Sequence, residues 1–397
     1  MDRLRIFSFI LTLTLSIQIF AQTKNETIII DDFYLDLAIR QYIDKPTGNI
    51  TRLDLESLRR FVAVGRNIKN LRGLEYAKNL TYLRLDNNEV QNLEPISKLT
   101  KLEVLSVSGN EIIDVSPIGN LININSLYLD RNKISNIDSL STLVNVKNFT
   151  GDFNQITDIT AINNWKKLTH FNMAFNQLND LSPFKTLSKL EGIWIPDNRI
   201  SDLAPIAHLI DLEVLILEKN PVLDIEPILN LKKLVQLNLT ETKVSDFGIL
   251  SKLPNVGVLV LRKNNLDDIQ FLENMQSVEW LDIRDNQITD ISVLNSLPNI
   301  KKLFLSNNQV KSIESLSNMK RLRWVHMENN KIENLWAIND LAKLTDVMAY
   351  GNDLETSKQL SKTNKKVIAK LKEQGTVFHV ASIKITSIYQ LEPSKKM

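Results

Sequence analysis

The chain has 397 residues, with 48 lysines and arginines against 46 aspartates and glutamates, which gives a formal net charge of +2. This near balance of positive and negative charges argues against nucleic acid or an anionic membrane surface as the main partner. The sequence contains no cysteine, which excludes disulfides, cysteine-ligated zinc sites, thiol catalysis and a lipidated N-terminal cysteine.

Residues 1–21 have the layout of a secretory signal peptide. Arg3 and Arg5 precede the apolar run Ile6–Phe20, and Ala21 supplies the small residue at the expected cleavage site. This run is shorter than the roughly 20 residues that a membrane-spanning helix requires. We therefore expect export with cleavage after Ala21, the alternative being a retained anchor. We also expect no integral membrane segment after cleavage.

Residues 22–60 are predicted to form an N-terminal helical cap. Apolar residues between Leu35 and Ile43 recur at helical spacing, and Asp31 or Asp32 can cap that helix. Thr51–Asp54 has capping-box spacing ahead of a second short helix. Such a segment is expected to cover the open end of the repeats that follow, because a terminal repeat otherwise exposes core.

Residues 61–363 repeat a 22-residue frame, L-x-x-L-x-L-x-x-N-x-V/I-x-x-L-x-x-I-x-x-L-x-x, in one degenerate and thirteen further copies. A period of this length with this pattern is the leucine-rich-repeat signature. The frame asparagine is replaced once, by Thr242, and Gly151 occupies an inward leucine position that we expect Phe149 to fill. The frame asparagines are Asn88, Asn110, Asn132, Asn154, Asn176, Asn198, Asn220, Asn264, Asn286, Asn308, Asn330 and Asn352.

Each part of the frame has a physical role. Leu83 and Leu85 alternate with polar residues, which predicts a short strand with the leucine pair turned inward. The asparagine side chain can satisfy backbone groups where the chain leaves the sheet. The apolar residues that follow at spacings of about three suit extended chain and short 3₁₀ turns. The predicted fold class is an α/β solenoid, a leucine-rich-repeat horseshoe of short parallel strands with 3₁₀ and extended return segments.

Residues 364–397 are predicted to form the C-terminal cap and tail. Lys365–Gln374 has one apolar helix face, and Gly375 is expected to end this helix. Val377–Ile385 is predicted as a closing strand.

The stretches DDFYLDLAIRQYIDKPTGNITRLDLESL and GLEYAKNLTYLRLDNNEV, together with the 22-residue frame, resemble the internalin-type bacterial proteins. The resemblance covers Ile28 to about Leu360. It implies an exported bacterial protein, at the cell surface or secreted, whose horseshoe binds another protein through its concave face.

The outward strand positions supply the candidate binding residues. Neighbouring strands lie about 4.8 Å apart, so large apolar side chains at these positions in consecutive repeats are predicted to form one strip on the concave face. Exposed aromatic residues commonly anchor protein recognition, although sheets also favour them for cross-strand packing alone. The predicted protein-binding residues are Trp194, Ile216, Val258, Val260, Trp280, Phe304, Trp324, His326, Met348 and Tyr350.

No residue constellation predicts an enzyme, a metal site or a cofactor. The four histidines form no metal-binding spacing, and the glycines are scattered singly rather than grouped in a phosphate-binding loop. The favoured function is an exported protein-binding scaffold. Two alternatives stay open: glycan or cell-envelope binding through the same aromatic strip, and an intracellular regulatory subunit if the signal peptide is not used.

Overall fold

The computed structural model describes residues 26–356 and 359–379. The chain divides into two compact units, the first ending at Lys233 and the second beginning at Leu234. The predicted signal peptide lies outside the described residues, as do the end of the predicted closing strand and the C-terminal tail.

The first unit begins with two helices, α1 (Phe33–Tyr42) and α2 (Arg52–Glu56). Asp32 caps α1, because one of its carboxylate oxygens accepts hydrogen bonds from backbone N–H groups in the first turn. The other oxygen accepts the N–H groups of Lys69 at 2.8 Å and Asn70 at 3.0 Å. One side chain thus starts the helix and fastens it to the degenerate repeat.

The predicted capping box at the start of α2 is confirmed. The Thr51 hydroxyl accepts the Asp54 N–H, and the Asp54 carboxylate accepts the Thr51 N–H at 2.7 Å. Thr51 also forms an antiparallel bridge with Thr27.

Eight parallel strands of the first unit pair in chain order. Their middle residues point into the core, as at the fully buried Leu83. The strands are β1 (Arg60–Val62), β2 (Tyr82–Arg84), β3 (Val104–Ser106), β4 (Ser126–Tyr128), β5 (Asn148–Thr150), β6 (His170–Asn172), β7 (Gly192–Trp194) and β8 (Val214–Ile216). Short 3₁₀ helices return the chain: Leu74–Tyr76, Glu94–Ile96, Ser116–Ile118, Asp138–Thr142, Thr160–Asn164, Ser182–Thr186, Ala204–Ile206 and Glu226–Asn230.

In the first unit, the frame asparagines from Asn88 to Asn220 form a buried ladder where the chain leaves the strands. Asn198 is typical: its amide nitrogen donates to the carbonyls of Met173 at 2.8 Å and Pro196 at 3.1 Å, and its oxygen accepts the Leu178 N–H at 2.9 Å. The backbone groups at this corner are satisfied by a side chain because no strand neighbour can reach them. The ladder therefore ties each repeat to the one before it.

The space left by Gly151 is filled by two neighbours. A Cβ atom at Gly151 would lie 2.7 Å from the sulfur of Met173 and 3.4 Å from the ring of Phe149. Phe149 is fully buried and packs edge-on against the equally buried Trp165, with ring centroids 5.0 Å apart. Phe149 is therefore a filler as expected, and Met173 is a second one.

The second unit continues the frame with strands that are also parallel and paired in chain order. They are β9 (Gln236–Asn238), β10 (Val258–Val260), β11 (Trp280–Asp282), β12 (Lys302–Phe304), β13 (Trp324–His326), β14 (Asp346–Met348) and β17 (Val377–His379). The 3₁₀ helices are Gly248–Lys252, Gln270–Asn274, Ser292–Ser296, Glu314–Asn318 and Trp336–Ile338. A separate antiparallel pair joins β15 (Glu355–Thr356) to β16 (Gln359–Leu360).

Thr242 alters the ladder locally. Its backbone N–H and its hydroxyl both donate to the Asn264 side-chain oxygen, at 3.0 and 3.1 Å. The hydroxyl also reaches the Leu239 carbonyl at 3.1 Å. A shorter side chain thus occupies the corner that an asparagine occupies elsewhere.

The C-terminal cap contains α3 (Lys362–Glu373), which starts three residues before the predicted position because the Ser361 side chain caps it. Gly375 ends the helix with a φ of +87°, as expected. The fully buried Asn364 accepts the Leu335 N–H at 2.9 Å and donates to the Leu354 carbonyl at 2.9 Å. It satisfies buried backbone groups just as the frame asparagines do.

The predicted α/β leucine-rich-repeat solenoid is confirmed, with parallel strands, 3₁₀ return turns, an N-terminal helix and a C-terminal helix followed by a strand. The exact domain boundaries stay a prediction.

Candidate functional site

The strand register of the second unit brings most of the predicted binding residues onto one surface, here called the aromatic face. Its first column contains the first residue of each strand, and its second column the third residue. The pairing places Val258, Trp280, Lys302, Trp324 and Asp346 side by side in the first column. The second column contains Val260, Asp282, Phe304, His326 and Met348.

Lys302 occupies the centre of the first column. Its ammonium nitrogen lies 4.4 Å from the ring centroid of Trp280 and 4.3 Å from that of Trp324. Both distances fit cation–π attraction, which is worth about 0.5–1 kcal/mol at exposed sites. Lys302 was not among the predicted binding residues, although it stands one repeat away from a tryptophan on either side, and that spacing could have identified it.

Phe304 is only 3% exposed, although it points away from the leucine core. Its ring centroid lies 5.8 Å from that of Trp280 and 4.8 Å from that of His326, and the Arg284 guanidinium covers it at 5.1 Å. Arg284 is held in turn by the buried carboxylate of Asp282. The expectation that Phe304 is accessible to a partner is therefore wrong, because its neighbours enclose it.

His326 is buried as well, at 4% exposure, and its Nε2 lies 3.1 Å from an Asp346 carboxylate oxygen. It supports Phe304 from the side rather than facing solvent, which corrects the expectation for this residue too. Trp324 differs, because it is 40% exposed. One side of its ring contacts Lys302, and the side chain leaves a large apolar area open.

The remaining predicted residues of this unit, Val258, Val260, Met348 and Tyr350, are half-buried. Tyr350 adjoins the buried carboxyl of Glu328. Burial, and then the nearby Glu328 charge and hydrogen bond, raise the pKa of the Tyr350 hydroxyl. Val258, Val260 and Met348 thus belong to the aromatic face, and Tyr350 lies two residues after β14.

The two predicted residues of the first unit, Trp194 and Ile216, are adjacent on paired strands. Trp194 is half-buried and stacks on His170 with ring centroids 5.9 Å apart. It lies over Gly192, where a Cβ atom would come within 2.1 Å of the indole. Ile216 is 9% exposed, so it supports the tryptophan and offers little contact area.

The sequence matches a family model described as leucine-rich repeats (2 copies) at residues 78–120, 100–142, 276–318 and 298–344. No curated protein matches the chain. Internalin InlC2 of Listeria monocytogenes is 33% identical with a TM-score of 0.52, over 53% of this chain and 95% of that one. Internalin InlF of the same species is 28% identical with a TM-score of 0.76, over 84% of this chain and 98% of that one.

This chain belongs to the internalin-type bacterial leucine-rich-repeat proteins.

A more distant similarity shows the fold alone. The leucine-rich-repeat ectodomain of a plant membrane receptor kinase from Arabidopsis thaliana, solved in complex with Casparian strip integrity factor 2, is 21% identical with a TM-score of 0.60. The match covers 74% of this internalin-type chain and 41% of the receptor chain.

The first unit of this internalin-type protein carries a row of carboxylates at the outward frame position two residues after the strands. Asp86 accepts the Ser108 N–H at 3.1 Å, and Asp130 accepts the Asp152 N–H at 2.9 Å. Asp152 accepts in turn the Ala174 N–H at 2.7 Å. Carboxylates thus bridge successive repeats along this surface, here called the carboxylate ladder.

Asp152 is the perturbed member of the carboxylate ladder. Burial, and secondly the charge of Asp130, raise its pKa to about 7, against the lowering effects of the Ala174 N–H and Arg131. A carboxyl group in this state titrates near neutral pH.

Two phenylalanines of the internalin-type chain were missed because they follow the outward strand positions. Phe153 and Phe175 stack with ring centroids 4.2 Å apart, and the Arg131 guanidinium covers Phe153 at 4.2 Å. Both have left-handed backbone, with φ near +55°, and both are about 40% exposed. Phenylalanine at the same frame position in two successive repeats was the available signal.

Among the described residues, no group of three or more histidines, cysteines, aspartates and glutamates is arranged to hold a metal ion. No helix in this part of the internalin-type chain has the length and apolar character needed to cross a membrane.

Proposed function

We propose that this internalin-type chain is an exported protein-binding scaffold and that the aromatic face is its contact surface. The observation that carries the proposal is Trp324, an exposed indole on a supported platform. Lys302 contacts one side of the ring and also contacts the ring of Trp280, which in turn packs against Phe304.

A supported tryptophan suits recognition because little side-chain entropy is lost when a partner covers it. Its position is already restricted by Lys302, so burial of the indole area contributes to binding with a small ordering cost. Tryptophan is also enriched among the interface residues whose truncation to alanine costs about 2 kcal/mol or more of binding free energy. The buried Phe304 and His326 then act as support, not as contacts.

The internalin-type fold favours the same function, since leucine-rich-repeat proteins bind protein partners. Its repeats leave one side chain per column and strand to vary without disturbing the core.

Export follows from the predicted signal peptide, residues 1–21. We expect the mature chain to begin at Gln22 and to be secreted, periplasmic or exposed at the cell surface. Mass spectrometry of the N-terminal peptide from the producing bacterium tests this. A chain that keeps Met1 inside the cell would contradict export and favour an intracellular regulatory role.

Binding is tested with two variants that remove an equally exposed tryptophan from opposite sides of the same unit. Trp324→Ala changes the aromatic face, whereas Trp336→Ala changes the return side, where Trp336 is 45% exposed. The full chain is used to capture partners from envelope and host-cell extracts, and affinity for the identified protein is then measured.

We expect Trp324→Ala to weaken binding by roughly thirtyfold, which corresponds to about 2 kcal/mol. Trp336→Ala should bind as the wild type. Circular dichroism and the melting temperature establish that both variants fold. Equal affinities for the two variants would refute the aromatic face as the contact surface, and so would captured envelope polysaccharide without protein.

A further inference from the structure

The second unit gathers cations that are separated along the sequence. Lys301, Arg321, Arg323 and Lys343, here called the basic edge, line one depression of about 300 Å³ with a single carboxylate, that of Glu279. The edge runs along the starts of the strands beside the aromatic face. The even overall charge of the chain therefore conceals a local excess of positive charge.

Little of this positive charge is neutralised within the protein. Glu279 bonds to Lys301 at 2.6 Å, and Arg321 donates to the neutral Asn299 side chain at 2.9 Å. In the part of the chain that the structure describes, Arg323 and Lys343 have no carboxylate within ion-pair distance, and both are exposed. An anion arriving from solvent can pair with them without breaking an existing ion pair.

An apolar depression adjoins the basic edge. It has a volume of about 300 Å³, shares Glu279 and Lys301 with the edge, and is lined on the other side by Trp280, Val258 and Lys302. Charged and apolar contact area thus meet along one line.

The spacing fits a short extended segment. Lys301 and Arg323 directly precede the neighbouring strands β12 and β13, and the Arg323 N–H donates to the Lys301 carbonyl at 2.9 Å. Strands are about 4.8 Å apart and an extended chain advances about 3.3 Å per residue. About three or four residues therefore reach from the apolar depression along the basic edge.

We infer that the basic edge binds an acidic segment of a protein partner, with aspartate or glutamate side chains on Arg323 and Lys343 and one apolar side chain against Trp280. The inference rests on the proposed function and adds the chemistry of the partner. Charge complementarity orients the partner segment and raises its rate of association. The adjoining contact with Trp280 buries apolar surface of the partner.

The first unit offers a matched comparison. Lys147 and Lys167 stand at the same frame positions as Arg323 and Lys343, twenty residues apart in both cases. Their surroundings differ, because Lys167 donates to the Asn145 side chain at 2.7 Å and the depression there is lined by asparagine, lysine, threonine and glutamate. Reversing these two charges changes the net charge equally but leaves the basic edge intact.

The test selects short random peptides displayed on phage against the immobilised full chain, in parallel for three proteins. These are the wild type, the double variant Arg323→Glu with Lys343→Glu, and the control Lys147→Glu with Lys167→Glu. Selected peptides are synthesised, and their affinities are measured at low and high salt. Heparin serves as a polyanion without peptide.

We expect wild type and control to select peptides rich in aspartate and glutamate with one apolar residue. Their affinity should fall by roughly tenfold or more on the Arg323→Glu, Lys343→Glu variant and should fall with salt. Peptides that bind without acidic enrichment, or that bind both double variants equally, would overturn the inference while leaving the proposed function in place. Heparin binding that depends on the basic edge, without acidic peptides, would overturn it in favour of a glycan. Failure to select any peptide, combined with no protein captured by the aromatic face, would overturn both proposals.

Discussion

The carboxylate ladder of the first unit and the aromatic face of the second use different outward positions of one 22-residue frame: the ladder lies two residues after the strands, and the aromatic face lies on the first and third residues of the strands. In the ladder, Asp86, Asp130 and Asp152 accept hydrogen bonds from neighbouring repeats. In the aromatic face, Trp324 remains 40% exposed beside Lys302, whose ammonium group lies over the Trp280 and Trp324 rings. Polar groups that already form hydrogen bonds with one another contribute little binding free energy when a partner covers them. Exposed apolar area contributes favourable free energy when it is removed from water.

Two units with the same backbone frame therefore present different surfaces, so the backbone of a repeat protein does not determine which surface can bind a partner. Inward positions are interchangeable between the units because burial demands the same leucines and isoleucines. Outward positions are decided by what neighbouring repeats place next to each other. Four changes test this comparison.

The largest effect is expected from the core of the first unit. Phe149→Ala should lower the free energy of unfolding by about 3–5 kcal/mol, because the ring also fills the space beside Gly151. Hydrogen exchange should locate the loss in the surrounding repeats. Phe153→Ala, which removes an exposed ring from the same strand connection, should cost only about 1 kcal/mol. Equal losses for the two variants would show that the exposed stack contributes as much as the core.

The next effect concerns a paired carboxylate of the aromatic face. Asp282→Asn removes the ion pair between this buried carboxylate and the Arg284 guanidinium, which covers Phe304. We expect the variant to lose about 1.5–3 kcal/mol, since the guanidinium hydrogen bonds to a buried, charged carboxylate are weakened. Chemical denaturation measures the change. An unaltered stability would mean that Phe304 is positioned by its ring contacts alone.

Asp152→Asn should have the opposite sign. The pKa of Asp152 is raised to about 7, so the folded state holds this proton more tightly than the unfolded state does. Ionisation therefore costs stability as pH rises from about 4 through 7. The variant cannot ionise at this position. Above pH 7 its free energy of unfolding should therefore exceed that of the wild type by at least about 1 kcal/mol.

The advantage of Asp152→Asn should shrink as pH falls through 7 and vanish below about pH 4. Melting temperatures across this range measure it. An advantage that does not vary with pH would indicate changed packing rather than removal of a charge.

The smallest effect is expected at Thr242, which replaces a frame asparagine. Thr242→Asn restores an amide that can donate twice and accept once, against the hydroxyl now bonded to Asn264 and Leu239. We expect a gain of about 0.5 kcal/mol. A clear fall in melting temperature would show that Asn264 has adapted to the threonine.

Sequence reasoning could predict which large side chains face outward in each column, but not which of them are exposed. The alternation of each strand identified Trp280, Phe304 and Trp324 as outward. It gave no information on ring contacts between repeats, which bury Phe304 and leave Trp324 open. Those contacts depend on side-chain directions, and a frame position does not specify them.

The sequence by itself determined the repeat, and with it the strands, the 3₁₀ turns and the asparagine corners. It could do so because each of these is local and recurs every 22 residues. The ends of the two capping helices were also predictable, because the signals at Asp32 and Gly375 are local in the sequence. Tertiary structure alone placed Lys302 between two tryptophans and joined Lys301 to Lys343 into a basic edge. Those residues are twenty or more positions apart along the chain, and only the stacking of repeats brings such residues within reach of one another.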